Sequence, residues 1–247
     1  MDAAQIGRVL SSALDLVLPL SCAGCSRPGP SICPTCREEL AGLALSQLGA
    51  VAPSPVPPGW PGCSGTLRYA GVSARLMKSF KDGGRRDLTG PLARLLADSV
   101  GRAVAADPDA GRQQPILLVP IPSSPAAVRQ RGDRPMLVLT RRVARILGPA
   151  VAVAPALTMA HGTADQAGLD RSGRQANLRS AMQVRQVERV QGRDCVLVDD
   201  VLTSGATLSE GQRALQAAGA RRVGMAVCMV TQRRSATLAL PLCPSSD

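Results

Sequence analysis

Aromatic side chains are almost missing from this 247-residue chain: Trp60, Tyr69 and Phe80 are the only three. Their scarcity argues against the base-stacking platforms on which non-specific single-strand binders rely. Packing must instead rest on Ala, Val and Leu, which build the 45% hydrophobic share. Lysine is as rare, since Lys78 and Lys81 stand alone in a formal charge of +11 otherwise carried by arginine. That charge has two readings. It fits an anionic partner such as nucleic acid, phosphate or an acidic lipid surface, and, with so much Ala, Gly and Pro, it also fits the coding bias of a GC-rich genome. His161 is the sole histidine and reads as a surface or loop residue rather than a catalyst.

Long apolar runs are missing as well. No stretch reaches the ~18 uninterrupted apolar residues of a membrane span. The best N-terminal candidate, VLSSALDLVLPLSC, contains Asp15 and follows Asp2 instead of a cationic leader, which makes a poor signal peptide. Pro19 spoils a lipid-attachment reading of Cys22. These features predict a cytoplasmic protein whose first 17 residues hold a short amphipathic helix.

What is present divides into zones. Residues 1–62 carry paired cysteines and then the proline-rich APSPVPPGWPG, which forbids a continuous helix or central strand and reads as a linker or irregular wrap. From Cys63 a strand-like GTLRYA is followed by helical periodicity in Leu88, Leu92, Leu95, Leu96 and Val100. Beyond Pro115, apolar runs ILLVP, AVAVA, CVLV and VGMAVCMV alternate with helical stretches at 134–147 and 207–218. Runs without polar alternation suit parallel strands buried on both faces. The expected architecture is an α/β domain over 63–247 behind a small module at 1–62.

The segment from Cys195 holds the strongest chemical signal. A buried strand, CVLV, ends in Asp199 and Asp200, passes through VLTSG and enters a helix at about Thr207, with Glu210 completing a capping-box pattern and Gly219 stopping the helix. A helix N-terminus presents free N–H groups and roughly half a positive charge, a ready anion site. Thr203, Ser204, Gly205, Ala206 and Thr207 supply hydroxyls and small residues that let phosphate oxygens approach. Two carboxylates beside such a cradle repel a second phosphate but accept hydrogen bonds from a vicinal diol. Successive strand residues face opposite ways, so both acids can serve one ligand only because the chain turns there. The bland alternative is a polar turn after a buried strand. Neither G-x-x-x-x-G-K-[ST] nor G-x-G-x-x-G occurs, which leaves the usual nucleotide loops without support.

Cys22, Cys25, Cys33 and Cys36 form C-x2-C-x7-C-x2-C, a spacing that converges four thiolates on one tetrahedral Zn2+. Two disulfides, the rival reading, are disfavoured in a reducing compartment. Cys195 and Cys228 read as buried structural cysteines; Cys63 reads at most as the remnant of a second metal site.

VLVDDVLTSGAT closely resembles the phosphoribosyl pyrophosphate signature of type I phosphoribosyltransferases, and a four-cysteine module in front of such a domain resembles the ComF (ComFC) family. LVPIPSS at 118–124, Arg131-Gly132, and the spacing of Gln166, Leu169, Arg174, Asn177 and Leu178 carry the likeness further. Asp133, Arg134 and Pro135 depart from it, standing where the family pattern has Phe, Asn and Gln. The resemblance implies a type I phosphoribosyltransferase fold. It gives Asp199 and Asp200 the ribose hydroxyls and residues 203–207 the 5′-phosphate. Ser123, in the loop after VPIP, and Arg129 or Arg131 would face the pyrophosphate, Lys81 would be a further anion contact, and Mg2+ would arrive with the pyrophosphate. It further implies an association with DNA uptake and natural transformation. Two functions follow: phosphoribosyl transfer to a nitrogen acceptor, with Arg131 and Lys81 as catalytic counter-charges, or a non-catalytic adaptor that holds single-stranded DNA alongside competence or recombination proteins. No residue stands out as a general base.

Overall fold

The computed structural model describes residues 21–45, 50–112, 114–159 and 181–231. The expected N-terminal helix, His161 and the Gln166 to Leu178 pattern lie outside the described residues.

In chain order the elements are α1 (Pro34–Gly42), β1 (Ser64–Arg68), α2 (Gly71–Lys81), α3 (Thr89–Ala105), β2 (Ile116–Pro120), α4 (Pro125–Arg131), α5 (Pro135–Leu147), β3 (Val151–Val153), β4 (Leu157–Met159), β5 (Met182–Val184), β6 (Asp194–Leu202), α6 (Ala206–Ala217) and β7 (Arg222–Val230). Five strands form a parallel sheet in the order β1-β7-β6-β2-β3, and β4 pairs with β5 in a separate antiparallel ribbon. Three of the apolar runs read from the sequence, ILLVP, CVLV and VGMAVCMV, are the central strands, whereas AVAVA supplies β3, a half-buried edge strand. Every residue of β2 is buried, and Leu197, Val198, Ala226, Val227, Cys228 and Met229 are all but sealed from water.

Two apolar layers cover the sheet. On one face α2, α3 and α5 bury Phe80, Leu76, Leu92, Leu96 and Leu139 against Val196, Val198 and Ala226. On the other, α6 packs Leu208 and Leu215 on Leu197 and Val227. The layer of α3 is also tied by hydroxyls: Ser99 Oγ donates to the Val227 carbonyl at 2.7 Å, and Thr66 Oγ1 donates to Leu95 O at 2.7 Å. At the amino ends of the strands Asp194 accepts from Arg221 Nε at 2.8 Å and from Gly111 N at 2.9 Å. Bonding to Arg221 holds that carboxyl below the usual range despite its burial.

The four-cysteine module is fused to the main core. Cys22, Ile32 and Cys36 pack with Val72, Leu76 and Met77. A Cβ at Gly24 would sit 2.5 Å from Val72 Cγ2 and 2.7 Å from Cys36 Sγ, so only glycine lets the module approach α2 this closely. Among the described residues no helix is long and apolar enough to cross a membrane.

Candidate functional site

Strand order reverses between β2 and β6. From β2 the chain moves outward to β3 on one side, whereas β6 and β7 lie on the other. The crevice at the carboxyl ends of strands flanking such a switch point is where open α/β sheets take ligands. Here the register Pro120↔Val198 and the bond from Ile121 N to Val198 O at 3.0 Å bring the loop after β2, with Ser123, beside the end of β6.

β6 runs further than expected. Pairing with β7 continues through Asp199↔Val227 to Leu202↔Val230, so the chain does not turn at the two acids and their side chains leave on opposite faces. Asp200, 4% exposed, enters the α2 layer and ion-pairs with Lys81 at that helix's end. Asp199 faces the other layer, where burial, and then the Asp199 charge, push the Cys63 thiol up. Burial, and then the negative charge of Asp200, raise the Asp199 carboxyl to about 8. Its Oδ1 accepts from Asp200 N at 2.9 Å. The strand persists because Leu202 and Val230, two pairs beyond the acids, are both buried and extend the ladder.

After Leu202 the loop is open. Thr203 and Ser204 are exposed, Gly205 is buried, and Ala206 and Thr207 are half-buried. The helix begins one residue before the expected Thr207, with Gly205 as N-cap at φ +73° and no side-chain cap. A capping box would have used Glu210 on the helix's own first turn. Glu210 is instead buried and accepts from Met182 N at 3.0 Å and from Arg213, tying β5 to α6. The first-turn N–H groups are therefore not capped by Thr207 or Glu210, and Ser204 Oγ makes only a long 3.4 Å contact with Ala206 N. This arrangement suits an anion.

Lys81, expected as an anion contact, ion-pairs with the buried Asp200, and α2 puts it there. Arg131 ends α4; its side chain lies outside the described atoms, while Arg129 is exposed on the same helix. Asp133, one of the departures from the family pattern, ion-pairs with Arg86. That pair ties the loop between α4 and α5 to the segment after α2, and spacing alone gives no sign of it.

The four cysteine sulfurs lie within 4.8 Å of one another. A tetrahedral ion with M–S bonds of about 2.3 Å requires sulfurs about 3.8 Å apart, and Cys25 and Cys33 Sγ stand at 3.7 Å. Cys22 Sγ accepts N–H bonds from Cys33 at 3.3 Å and Gly24 at 3.4 Å. Burial opposes ionisation of Cys22, but these backbone bonds outweigh it and lower the thiol to about 6. The set fits a thiolate-bound metal. Cys63 is not part of the cluster; its thiol is buried and directed at Ser64 O.

The module reaches the acids through α2. Glu39 Oε1, on α1, accepts from Val72 N at 3.0 Å in the first turn of α2. Arg75 donates to Gly24 O from its middle, and Arg85, just beyond its end, donates to Ser21 O at 2.9 Å. The same helix ends on Lys81.

Residues 137–240 match the phosphoribosyl transferase domain family. The DNA utilization protein YhgH of Salmonella typhimurium is 30% identical over 202 residues, 82% of this chain and 85% of that protein. A ribose-phosphate pyrophosphokinase of Shewanella oneidensis is 42% identical over 59 residues, 24% of this chain and 18% of that one. Among solved structures, glutamine phosphoribosylpyrophosphate amidotransferase from B. subtilis aligns with a TM-score of 0.38 at 15% identity, covering 61% of this chain and 30% of that one. With a parallel sheet flanked by helices, a phosphoribosyl transferase domain match and a four-cysteine cluster at the N-terminal end, the chain belongs to the ComF family and has the type I phosphoribosyltransferase fold.

Proposed function

We propose that the crevice between β2 and β6 binds phosphoribosyl pyrophosphate with Mg2+ and presents its C1 carbon to a nitrogen acceptor. The observation that carries this reading is the loop at 203–207, an open helix N-terminus that follows the end of strand β6, in which Asp199 lies on the same side of the sheet as α6. In this reading the N–H groups and hydroxyls of Thr203 to Thr207 hold the 5′-phosphate, and Asp199, on the α6 side of the sheet, accepts from the ribose hydroxyls, while Asp200, on the opposite face, is held by Lys81 and fixes the strand beneath. Ser123, at the adjacent strand end, faces the pyrophosphate, with Arg129 and Arg131 following on α4. Mg2+ would neutralise the leaving group, held mostly by pyrophosphate oxygens and water. The acceptor nitrogen bonds to C1 as the C1–O bond breaks, the electron pair leaves with pyrophosphate, and the acceptor sheds its proton. Positioning and charge neutralisation supply the catalysis. The four thiolates of Cys22, Cys25, Cys33 and Cys36 would hold Zn2+ as a structural ion.

The relatives' name, DNA utilization protein, supports service in DNA uptake or processing. Single-stranded DNA is the macromolecular partner that fits an arginine-rich chain, with backbone contacts and strong salt dependence. The test of transfer is pyrophosphate release by the zinc-loaded chain across a panel of nitrogen acceptors. Release that depends on one acceptor class establishes turnover. No release with any acceptor, by a chain that binds the substrate, makes the protein a binder on a phosphoribosyltransferase scaffold.

A further inference from the structure

The proline-rich segment is a strap rather than a spacer. Val51 and Cys63 close it as an antiparallel bridge, exchanging N–H···O bonds of 2.7 and 3.0 Å. Trp60 Nε1 donates to Val51 O across the loop at 3.2 Å, and Gln212 Nε2 on α6 reaches Gly59 O at 3.4 Å. The strap therefore touches α6 as far along as Gln212 and meets the phosphate loop at Gly205. A Cβ added there would stand 2.7 Å from Pro53 Cγ and 3.0 Å from Trp60 Cζ3. Gly205 also holds φ +73°, a basin that only glycine occupies freely. Glycine at this point would otherwise move among several backbone states, and the peptides on either side of it aim the N–H groups of the cradle. Two rigid rings pressed on its Cα leave one of those states.

Resting on the ribosyl phosphate reading of this loop, we infer that Pro53 and Trp60 are positioning residues of the phosphate cradle, acting through Gly205 to pre-organise the 5′-phosphate site. Ordering the loop in advance removes a conformational penalty from binding. Because Trp60 is the only tryptophan, its emission reports directly on the strap.

The experiment titrates the zinc-loaded full chain with phosphoribosyl pyrophosphate plus Mg2+, and separately with inorganic phosphate, by calorimetry and by Trp60 emission. Trp60→Ala is expected to weaken both ligands by a common factor of about ten. Trp60→Phe lacks the benzo-ring atoms that meet Gly205 and is expected to weaken both ligands by an intermediate factor of about three. Pro53→Ala, a smaller change, gives a second reading if Trp60→Ala folds poorly, and should weaken both ligands by about threefold. Emission of the parent is expected to shift on saturation with either ligand. Folded Trp60→Ala and Pro53→Ala variants that bind both ligands as the parent does overturn the inference alone. A parent that binds neither ligand overturns the site reading itself, and the strap with it.

Discussion

Stripping the metal from the four-cysteine module is expected to weaken phosphoribosyl pyrophosphate binding at least thirtyfold, although the nearest cysteine belongs to a different part of the chain from the cradle. The route is α2. Its first turn is held by Glu39, its middle by the Gly24 carbonyl and the segment after it by Ser21, all three within or beside the module. Its end carries Lys81, the partner of Asp200. A module this small folds on the ion, whose binding supplies on the order of 10 kcal/mol. Without it the anchors loosen, Cys22, Ile32 and Cys36 withdraw from the shared core, and Asp200 loses its counter-charge. Chelation followed by calorimetry checks this, with added zinc expected to restore affinity. A double change, Glu39→Ala with Arg75→Ala, separates anchoring from metal: it should keep one zinc per chain and still weaken binding severalfold. A chelated protein that binds as the loaded one does would show that the module and the site are independent.

Lys81→Ala is the second large effect, and it falls on stability. Asp200 is 4% exposed, and an anion at that depth left without its cation destabilises the fold by about 3 kcal/mol. Urea unfolding should show that loss in Lys81→Ala and recover most of it when Asp200→Asn is added, since the pair is then removed together. A fully additive double variant would mean that Lys81 and Asp200 do not act as a pair.

Much of the fold was legible because burial on both faces leaves a mark: ILLVP, CVLV and VGMAVCMV have no polar alternation, and they are β2, β6 and β7. The cysteine spacing was equally plain, as ligand geometry tolerates few separations. The helix of residues 71–81 went unassigned, since its amphipathic pattern is short and its N-terminus is held by Glu39 from another element. Glu210 looked like a cap because the pattern Thr-x-x-Glu is local, whereas its real partners, Met182 and Arg213, involve a strand distant in sequence. The turn expected at Asp199 and Asp200 failed for the same reason: β7 supplies pairing partners two residues past the acids. Nothing in the composition of APSPVPPGWPG indicated that it would lie against Gly205.

The central claim, a ribosyl phosphate site at 199–207, is tested most directly by calorimetric titration of the zinc-loaded chain with phosphoribosyl pyrophosphate and Mg2+, beside Asp199→Asn/Asp200→Asn. The parent should bind, and the double variant at least about tenfold more weakly, as the charge-assisted acceptor Asp199 is lost. Burial and the Asp200 charge push the Asp199 carboxyl up to about 8, and the ribose hydroxyls donate to its ionised form. Affinity of the parent should therefore rise from pH 7 to pH 9, because less free energy is spent removing the proton, while the double variant stays flat over that window. A parent that shows no binding at either pH, or a double variant that binds equally well, would contradict the account.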